Sequence, residues 1–303
     1  MSLEVTVVGS VNMDLVATAP TLPAPGETVL GHGFSTVPGG KGANQAVAAA
    51  RAGGRTAFIG AVGSDGFGAE LRSALELSGL DTDGLRTVPG PSGVALIAVD
   101  DAGENSIVVA PGANGELKHL TVEDRGRIGA ASVLVCQLEV PLLAVLEAAR
   151  AASEAGTRVI LNAAPARALP AELLSLVDLL VVNEGEAAML AGVGGGEPAA
   201  LAATLLESVP HVVLTLGGAG SLYSARGREQ VAIDAPKVDV VDTTAAGDSF
   251  TGALAVAWAE GRDLPDSCRW ASAAGGVTVQ RPGATSALPG RAEIDDLYEV
   301  TYR

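Results

Sequence analysis

Aromatic residues are scarce in this chain of 303 residues: two Trp, three Tyr and four Phe, 3% in all. A surface that stacks nucleic-acid bases needs more of them, which argues against that class of partner. Basic charge is scarce too. Nineteen Lys and Arg stand against 35 Asp and Glu, a formal net charge of −16, so a nucleic acid or an anionic membrane would need a cationic face available only locally. No apolar run reaches the roughly eighteen residues of a membrane span. Met1-Ser2-Leu3-Glu4 enters a strand-like run without the basic start and cleavage site of a leader. The two cysteines, Cys136 and Cys268, lie far apart and fit no metal spacing; they read as buried free thiols, and the expected setting is reducing and cytoplasmic.

What the chain has in quantity is small and apolar. It is 48% hydrophobic with 39 glycines, which describes a core of Ala, Val and Leu with many tight turns. At this length about three quarters of the unfolded surface can be buried.

Short apolar runs alternate with helical segments along the chain. Val5 to Val8, Thr56 to Ala61, Val133 to Cys136, Val159 to Leu161, Leu179 to Val182, Val212 to Thr215 and Val238 to Val241 read as buried strands. Val47 to Ala52, Phe67 to Ser78, Val122 to Ile128, a segment beginning near Pro141, and Phe250 to Ala259 read as helices. Leu15 to Thr18, Thr28 to Val37 and a hairpin of Gly93 to Val99 with Ser106 to Val109 read as an exposed, sheet-like excursion. The fold class expected is α/β: a doubly wound, mostly parallel sheet flanked by helices, in one domain over 1–303, with a small β-sheet lid from about 15–37 and 93–109.

The polar residues of interest fall where strands end. Near the carboxyl end, Asp242-Thr243-Thr244-Ala245-Ala246-Gly247-Asp248 runs into a helix. Small residues let backbone N–H groups crowd one point, and a helix N-terminus favours an anion. Asp248 then has two readings, a helix cap or a base that takes the proton of a nucleophile attacking a phosphate. Asn12 and Asp14, at i and i+2, can face one ligand or belong to a solvated turn. The loop Pro38-Gly39-Gly40-Lys41-Gly42-Ala43-Asn44-Gln45-Ala46 can bring ligand, backbone and donors together, but Gly42 and Ser35 break the Walker pattern. No G-x-G-x-x-G opens a helix after a strand, which disfavours a dehydrogenase. Glu139 ends a strand at the usual ligand edge of a parallel sheet. Asn183 with Glu186 reads as a capping box, and Gly217 to Gly220 as bare backbone against which a nucleotide can lie.

Gly39 to Ala46 and Asp242 to Asp248 resemble, in order and about two hundred residues apart, the two signatures of the ribokinase-like carbohydrate kinase family. Asn12-x-Asp14, Gln137-Leu138-Glu139, Asn183-Glu184-x-Glu186 and Thr215-Leu216-Gly217 resemble it at the expected places, so that the likeness spans essentially the whole chain. It implies ATP-dependent phosphorylation of D-ribose at the 5-hydroxyl. Asn12, Asp14, Gly40, Lys41, Asn44 and Glu139 match sugar-holding positions, and Asp248 matches the catalytic base, with the amides of Ala245, Ala246 and Gly247 beside it. Asn183, Thr215, Gly217, Gly220 and Gly247 match nucleotide-binding positions, and Asn183 with Glu186 the pair associated with hydrated Mg²⁺. Asp242, Thr244, Thr278, Arg281 and Gly283 match a K⁺ site; a further position that carries Ser in the family falls on Ala287 here, beside Ser286. The likeness also implies a homodimer paired through the lid. Other substrates within the class are 2-deoxyribose, fructose, a keto-deoxy sugar acid or a nucleoside, and a non-catalytic sugar or nucleotide sensor is the reading from another class.

Overall fold

The computed structural model describes residues 4–303; Met1 to Leu3 lie outside the described residues, and with them most of the leader expectation. Among the described residues are thirteen strands: β1 (Val5–Val8), β2 (Asn12–Ala19), β3 (Gly33–Gly39), β4 (Thr56–Gly63), β5 (Asp81–Val88), β6 (Gly93–Asp100), β7 (Asn105–Ala110), β8 (Val133–Cys136), β9 (Arg158–Asn162), β10 (Leu179–Asn183), β11 (His211–Thr215), β12 (Ser221–Ala225) and β13 (Val231–Ile233). The α-helices are α1 (Lys41–Arg51), α2 (Gly66–Leu77), α3 (Val122–Ala130), α4 (Leu142–Ala155), α5 (Ala171–Ser175), α6 (Glu184–Leu190), α7 (Pro198–Leu205), α8 (Ala246–Ala259), α9 (Leu264–Thr278) and α10 (Arg291–Tyr302).

Nine strands form one sheet in the order β13-β12-β11-β10-β9-β8-β1-β4-β5. The pairs from β11 through β5 are parallel, and β12 and β13 close one edge antiparallel. The chain leaves β1 for β4 on one side and later reaches β8 on the other, so the order reverses at β1. Ligands of open α/β sheets sit outside the strand ends at such a reversal. The remaining strands form a separate four-stranded sheet, β3-β2-β6-β7.

Period-two alternation builds a core on each face of the large sheet. Val7, Phe58, Val133, Val181 and Val213 face α1, α2, α8, α9 and α10. Val8, Ile59, Leu134, Val182 and Leu214 face α3 to α7. Fully burying one such side chain stabilises by about 1.5–3 kcal/mol. Helix α8 is buried without interruption from Asp248 to Ala257, which its run of small residues permits. A Cβ at Gly252 would stand 2.5 Å from the Gln45 carbonyl oxygen and 2.6 Å from Ala48 Cβ. That glycine lets α1 and α8 approach closely, and their N-terminal ends therefore meet.

Several expectations are corrected. Val238 to Val241 is not a strand: Val240 and Val241 are exposed, and the Val241 and Asp242 amides donate to the Val279 carbonyl instead of to a ladder. Helix α1 begins at Lys41, six residues before Val47, because Gly40 at φ 92° supplies the turn into it. The strand expected from Thr28 starts only at Gly33. Strands β5, β12 and β13 are additional to those expected. β5 carries alternating polar residues at the sheet edge, β12 hides two serines in a fully buried run, and β13 has three residues.

Candidate active site

The two glycine turns differ in one respect that decides their chemistry. At the start of α1 the donors are already used. Lys41 N–H donates to Glu139 Oε2 (3.1 Å), Gly42 N–H to Ser10 Oγ (3.2 Å) and Ala43 N–H to the Ser10 carbonyl (2.8 Å). At the start of α8, Ala245 takes the left-handed conformation, φ 59°, which among the described residues no other non-glycine does; such a residue costs about 1–2 kcal/mol. Ala246 N–H donates to the Thr243 carbonyl (3.2 Å) and Ser249 N–H to that of Ala245 (2.8 Å). The amides of Ala245, Gly247 and Asp248 have no partner among the described residues. The free donor set therefore differs in one member from the expected Ala245, Ala246 and Gly247: Ala246 is engaged in the turn and Asp248 takes its place. Three unpaired amides on a helix N-terminus suit a phosphoryl oxygen.

Asp248 does not cap its helix. Ala245 holds that position without a side-chain bond, and the Asp248 carboxylate, 8% exposed, turns inward to α1. Asn44 Nδ2 donates to its Oδ2 (3.0 Å) and Gln45 Nε2 to its Oδ1 (2.9 Å). Burial pushes its pKa up; the Lys41 ammonium and the bonds from Asn44 and Gln45 oppose this, and Glu139 adds to it. Each oxygen retains a lone pair for an incoming hydroxyl.

The expected sugar-holding residues gather beside it. Ser10 Oγ donates to Glu139 Oε2 (2.6 Å), which with the Lys41 amide fixes one oxygen of Glu139 and leaves the other available. Asn12 Oδ1 accepts from Asn114 Nδ2 (2.7 Å), so Asn12 offers its amide donors. Asn44 Oδ1 is buried with no partner, an acceptor in need of a donor. Asp14 faces Gly39, where a Cβ would lie 2.2 Å from Asp14 Oδ2; only glycine leaves room for that carboxylate. Burial, then the charges of Glu139 and Asp248, raise the Asp14 pKa to about 7. For Lys41, burial alone would lower the pKa, but Asp248, Glu139 and Glu186 outweigh it and hold the ammonium above its usual range. Gly40 is confined as well, since a Cβ there would meet Asn12 N at 2.8 Å.

A cleft of about 1580 Å³ opens in front of the α8 turn, lined by Asn183, Thr215, Gly217 to Gly220, Gly247 and the segment Asp234 to Val240. A pocket of about 240 Å³ shares Asn183, Thr215 and Gly247 with it and adds Lys41, Glu186, Ala245 and Asp248. All the expected nucleotide positions thus line the cleft, and the pocket that shares lining residues with it is bordered by Asp248. Asn183 and Glu186 form the capping box foreseen, with Glu186 N–H to Asn183 Oδ1 at 2.8 Å and Asn183 N–H to Glu186 Oε2 at 2.9 Å. This leaves Glu186 Oε1 for the pocket. Burial raises the Glu186 pKa; the Asn183 bond and Lys41 oppose this and Asp248 adds to it. A carboxylate so placed fits a divalent cation.

The third group is held together by Asp242. Its Oδ1 accepts from the Thr244 amide and its Oδ2 from the Gly283 amide, both at 2.8 Å. Burial would raise its pKa, and the bonds from Thr244 and Gly283 hold it below the usual range instead. The carbonyls of Thr244, Arg281 and Gly283 accept no hydrogen bond among the described residues, a donor set that fits a monovalent cation. Thr278 uses its hydroxyl internally, 2.7 Å from Ser249 Oγ, and Arg281 pairs through its side chain with Glu293, so any contribution from either comes through the main chain. Ala287 is fully buried and offers no side-chain oxygen.

Sequence reasoning assigned no part to Ser10, Gln45, Asn114, Gln137 or Asn162. Gln45 lies within the first signature, next to Asn44, and its full burial is not visible in the sequence.

Fold and cleft together define a small-molecule kinase of the doubly wound class, with a carboxylate and free amides meeting where the acceptor and the phosphate must meet. The profile of the pfkB family carbohydrate kinase matches residues 2–291, and the chain belongs to that family. It is 40% identical over 305 residues to the ribokinase of Haemophilus influenzae, spanning 99% of both chains, and 40% identical over 314 residues to that of Schizosaccharomyces pombe, spanning 98% of both. A solved structure of Arabidopsis thaliana ribokinase complexed with ribose and ATP is similar with a TM-score of 0.92 at 33% identity, over 99% of each chain.

Proposed function

We propose that this protein transfers the γ-phosphate of ATP to the 5-hydroxyl of D-ribose, giving ribose 5-phosphate and ADP. One observation carries the reading: a buried carboxylate held by two amide donors stands in the same first helical turn as three unpaired backbone amides, at the end of the cleft. Asp14, the free oxygen of Glu139, Asn44 Oδ1 and the Asn12 amide offer the mixed acceptors and donors that a sugar with several hydroxyls requires. Lys41 balances the negative charge there.

In the reaction Asp248 accepts the hydroxyl proton as the oxygen attacks phosphorus in line, and the amides of Ala245, Gly247 and Asp248 stabilise charge on the transferred group. Glu186 and Asn183 are the residues that would hold hydrated Mg²⁺, and Asp242 with the carbonyls of Thr244, Thr278, Arg281 and Gly283 those that would hold K⁺. When bound, Mg²⁺ neutralises phosphate charge and K⁺ steadies the turn before α8. The lid sheet covers the sugar and pairs between two copies of the chain.

Asp248→Asn preserves shape and removes the base, so turnover falls by on the order of a hundredfold or more while ATP affinity is retained. Coupled ADP release with ribose, 2-deoxyribose, fructose and a nucleoside, with and without K⁺, tests substrate and cation together. Near wild-type turnover in the Asn variant, or another sugar preferred over ribose, refutes the assignment.

A further inference from the structure

The carboxylate of Asp248 is aimed by a chain of side-chain amides with only one self-consistent orientation. The Val181 carbonyl can only accept, so it takes Asn162 Nδ2 (3.2 Å) and turns Asn162 Oδ1 toward Gln45. Gln45 Nε2 then donates one hydrogen to Asn162 Oδ1 (2.9 Å) and the other to Asp248 Oδ1 (2.9 Å). From the opposite side Gln137 Nε2 donates to Gln45 Oε1 (2.6 Å). Gln45 and Gln137 are both fully buried. A flipped Gln45 amide would set its carbonyl oxygen against a carboxylate and against the Asn162 oxygen, and its NH₂ against that of Gln137. The chain ends on Gln137 Oε1, which is buried without a partner and pressed where Gly9 has no Cβ, 2.0 Å from that site. Leaving a buried carbonyl without a partner is costly, and that cost is retained here while the amide that orients Gln45 is kept.

We infer that Gln45 is a positioning residue, locked by Asn162 and Gln137, that fixes the direction of Asp248 and keeps it ionised for proton removal. The inference rests on the reading of Asp248 as base. The groups that also act on this carboxylate are Lys41 at the start of α1, Glu139 beyond β8, Asp14 on the lid and Glu186 on α6. Of these only Lys41 favours its charge, so the N–H donors of Asn44 and Gln45 supply the remaining support.

Gln45→Met keeps the volume and removes both donated bonds. At saturating ribose and ATP, kcat should fall on the order of tenfold, and the acid limb of the kcat–pH profile should move to higher pH, because a carboxylate that loses donors gains basicity. KM for ATP should stay within twofold. A packing role alone would move the melting temperature and leave the acid limb in place. Gln137→Met removes the orphaned carbonyl together with the donor that locks Gln45, so it should shift kcat and the acid limb in the same direction by less, and it decides the matter if Gln45→Met does not fold. Wild-type kcat and acid limb in whichever of these folds overturns the inference. Asp248→Asn is run beside them: an active Asn variant defeats the base assignment itself, whereas an inactive one with unaltered Gln45→Met and Gln137→Met defeats only the positioning role.

Discussion

Asp14 shows how one residue ties the site to the stability of the fold. Its carboxyl, at about 7, is raised above the ordinary value of about 3.9 for an unfolded aspartate. A folded pKa above the unfolded one means that the native state binds the proton more tightly, so this group favours folding below the unfolded value and loses that contribution as pH rises toward 7. Above pH 7 the ligand-free protein holds an ionised Asp14 near Glu139 and Asp248, at a cost. Asp14→Asn should therefore raise the melting temperature at pH 8, the gain should shrink by pH 5, and thermal protection by ribose should vanish at both. An Asn variant no more stable than wild type at pH 8 would show that the carboxylate is not under this strain. The same titration predicts that kcat/KM for ribose declines on acidification through about pH 7, since a protonated Asp14 accepts fewer sugar hydroxyls. A flat profile from pH 8 to 6 would refute it.

Among the elements, legibility followed burial on both faces. Strands such as Val133–Cys136 and Leu179–Asn183, enclosed between two helix layers, are continuous apolar runs, legible in the sequence to within a residue of their ends. Edge strands are solvated on part of their surface; β5, with its Asp and Thr residues, therefore lacked the signal. The starts of α2, α3 and α4 are legible to within a residue, but those of α1 and α8 lie earlier than the sequence pattern implies, because they are set by backbone conformation at Gly40 and Ala245, which composition does not encode. The site residues were legible as types at strand ends, but the contact of α1 with α8 through Gly252, which gives Asp248 its partners, joins positions some two hundred apart. The antiparallel closure by β12 and β13 offers a test at this scale. Gly217 and Gly220 both lie at positive φ, 55° and 98°, but a Cβ is in open space at the first and 2.0 Å from the Ile233 carbonyl oxygen at the second. Gly217→Ala should cost about 1 kcal/mol from conformation alone, and Gly220→Ala more than about 2 kcal/mol, since the β12–β13 edge must also move. Equal losses in denaturant unfolding would mean that the contact is absorbed without consequence.

At the scale of the molecule, the lid sheet is the part with an open, exposed edge. Strand β7 is exposed along its whole length and has one unpaired edge. Its register with β6 sets Val108 beside Leu96 and Ile107 beside Ile97, so apolar pairs occur on both faces of the sheet. Leu96, Ile107 and Val108 are each more than half exposed. A free apolar edge promotes association unless it is covered, and a second lid related by a two-fold axis would bury the same residues on both copies. Pairing of lids would also stiffen β2, which carries Asn12 and Asp14, the residues proposed to hold the sugar. Light scattering at micromolar concentration should report a dimer for the native chain. The double variant Ile107→Glu/Val108→Glu, with one charge on each face, should report a monomer whose KM for ribose rises while KM for ATP holds, because the cleft lined by Asn183, Thr215 and Gly247 lies on the large sheet. A native monomer, or a double variant that remains dimeric, would exclude the lid as the interface.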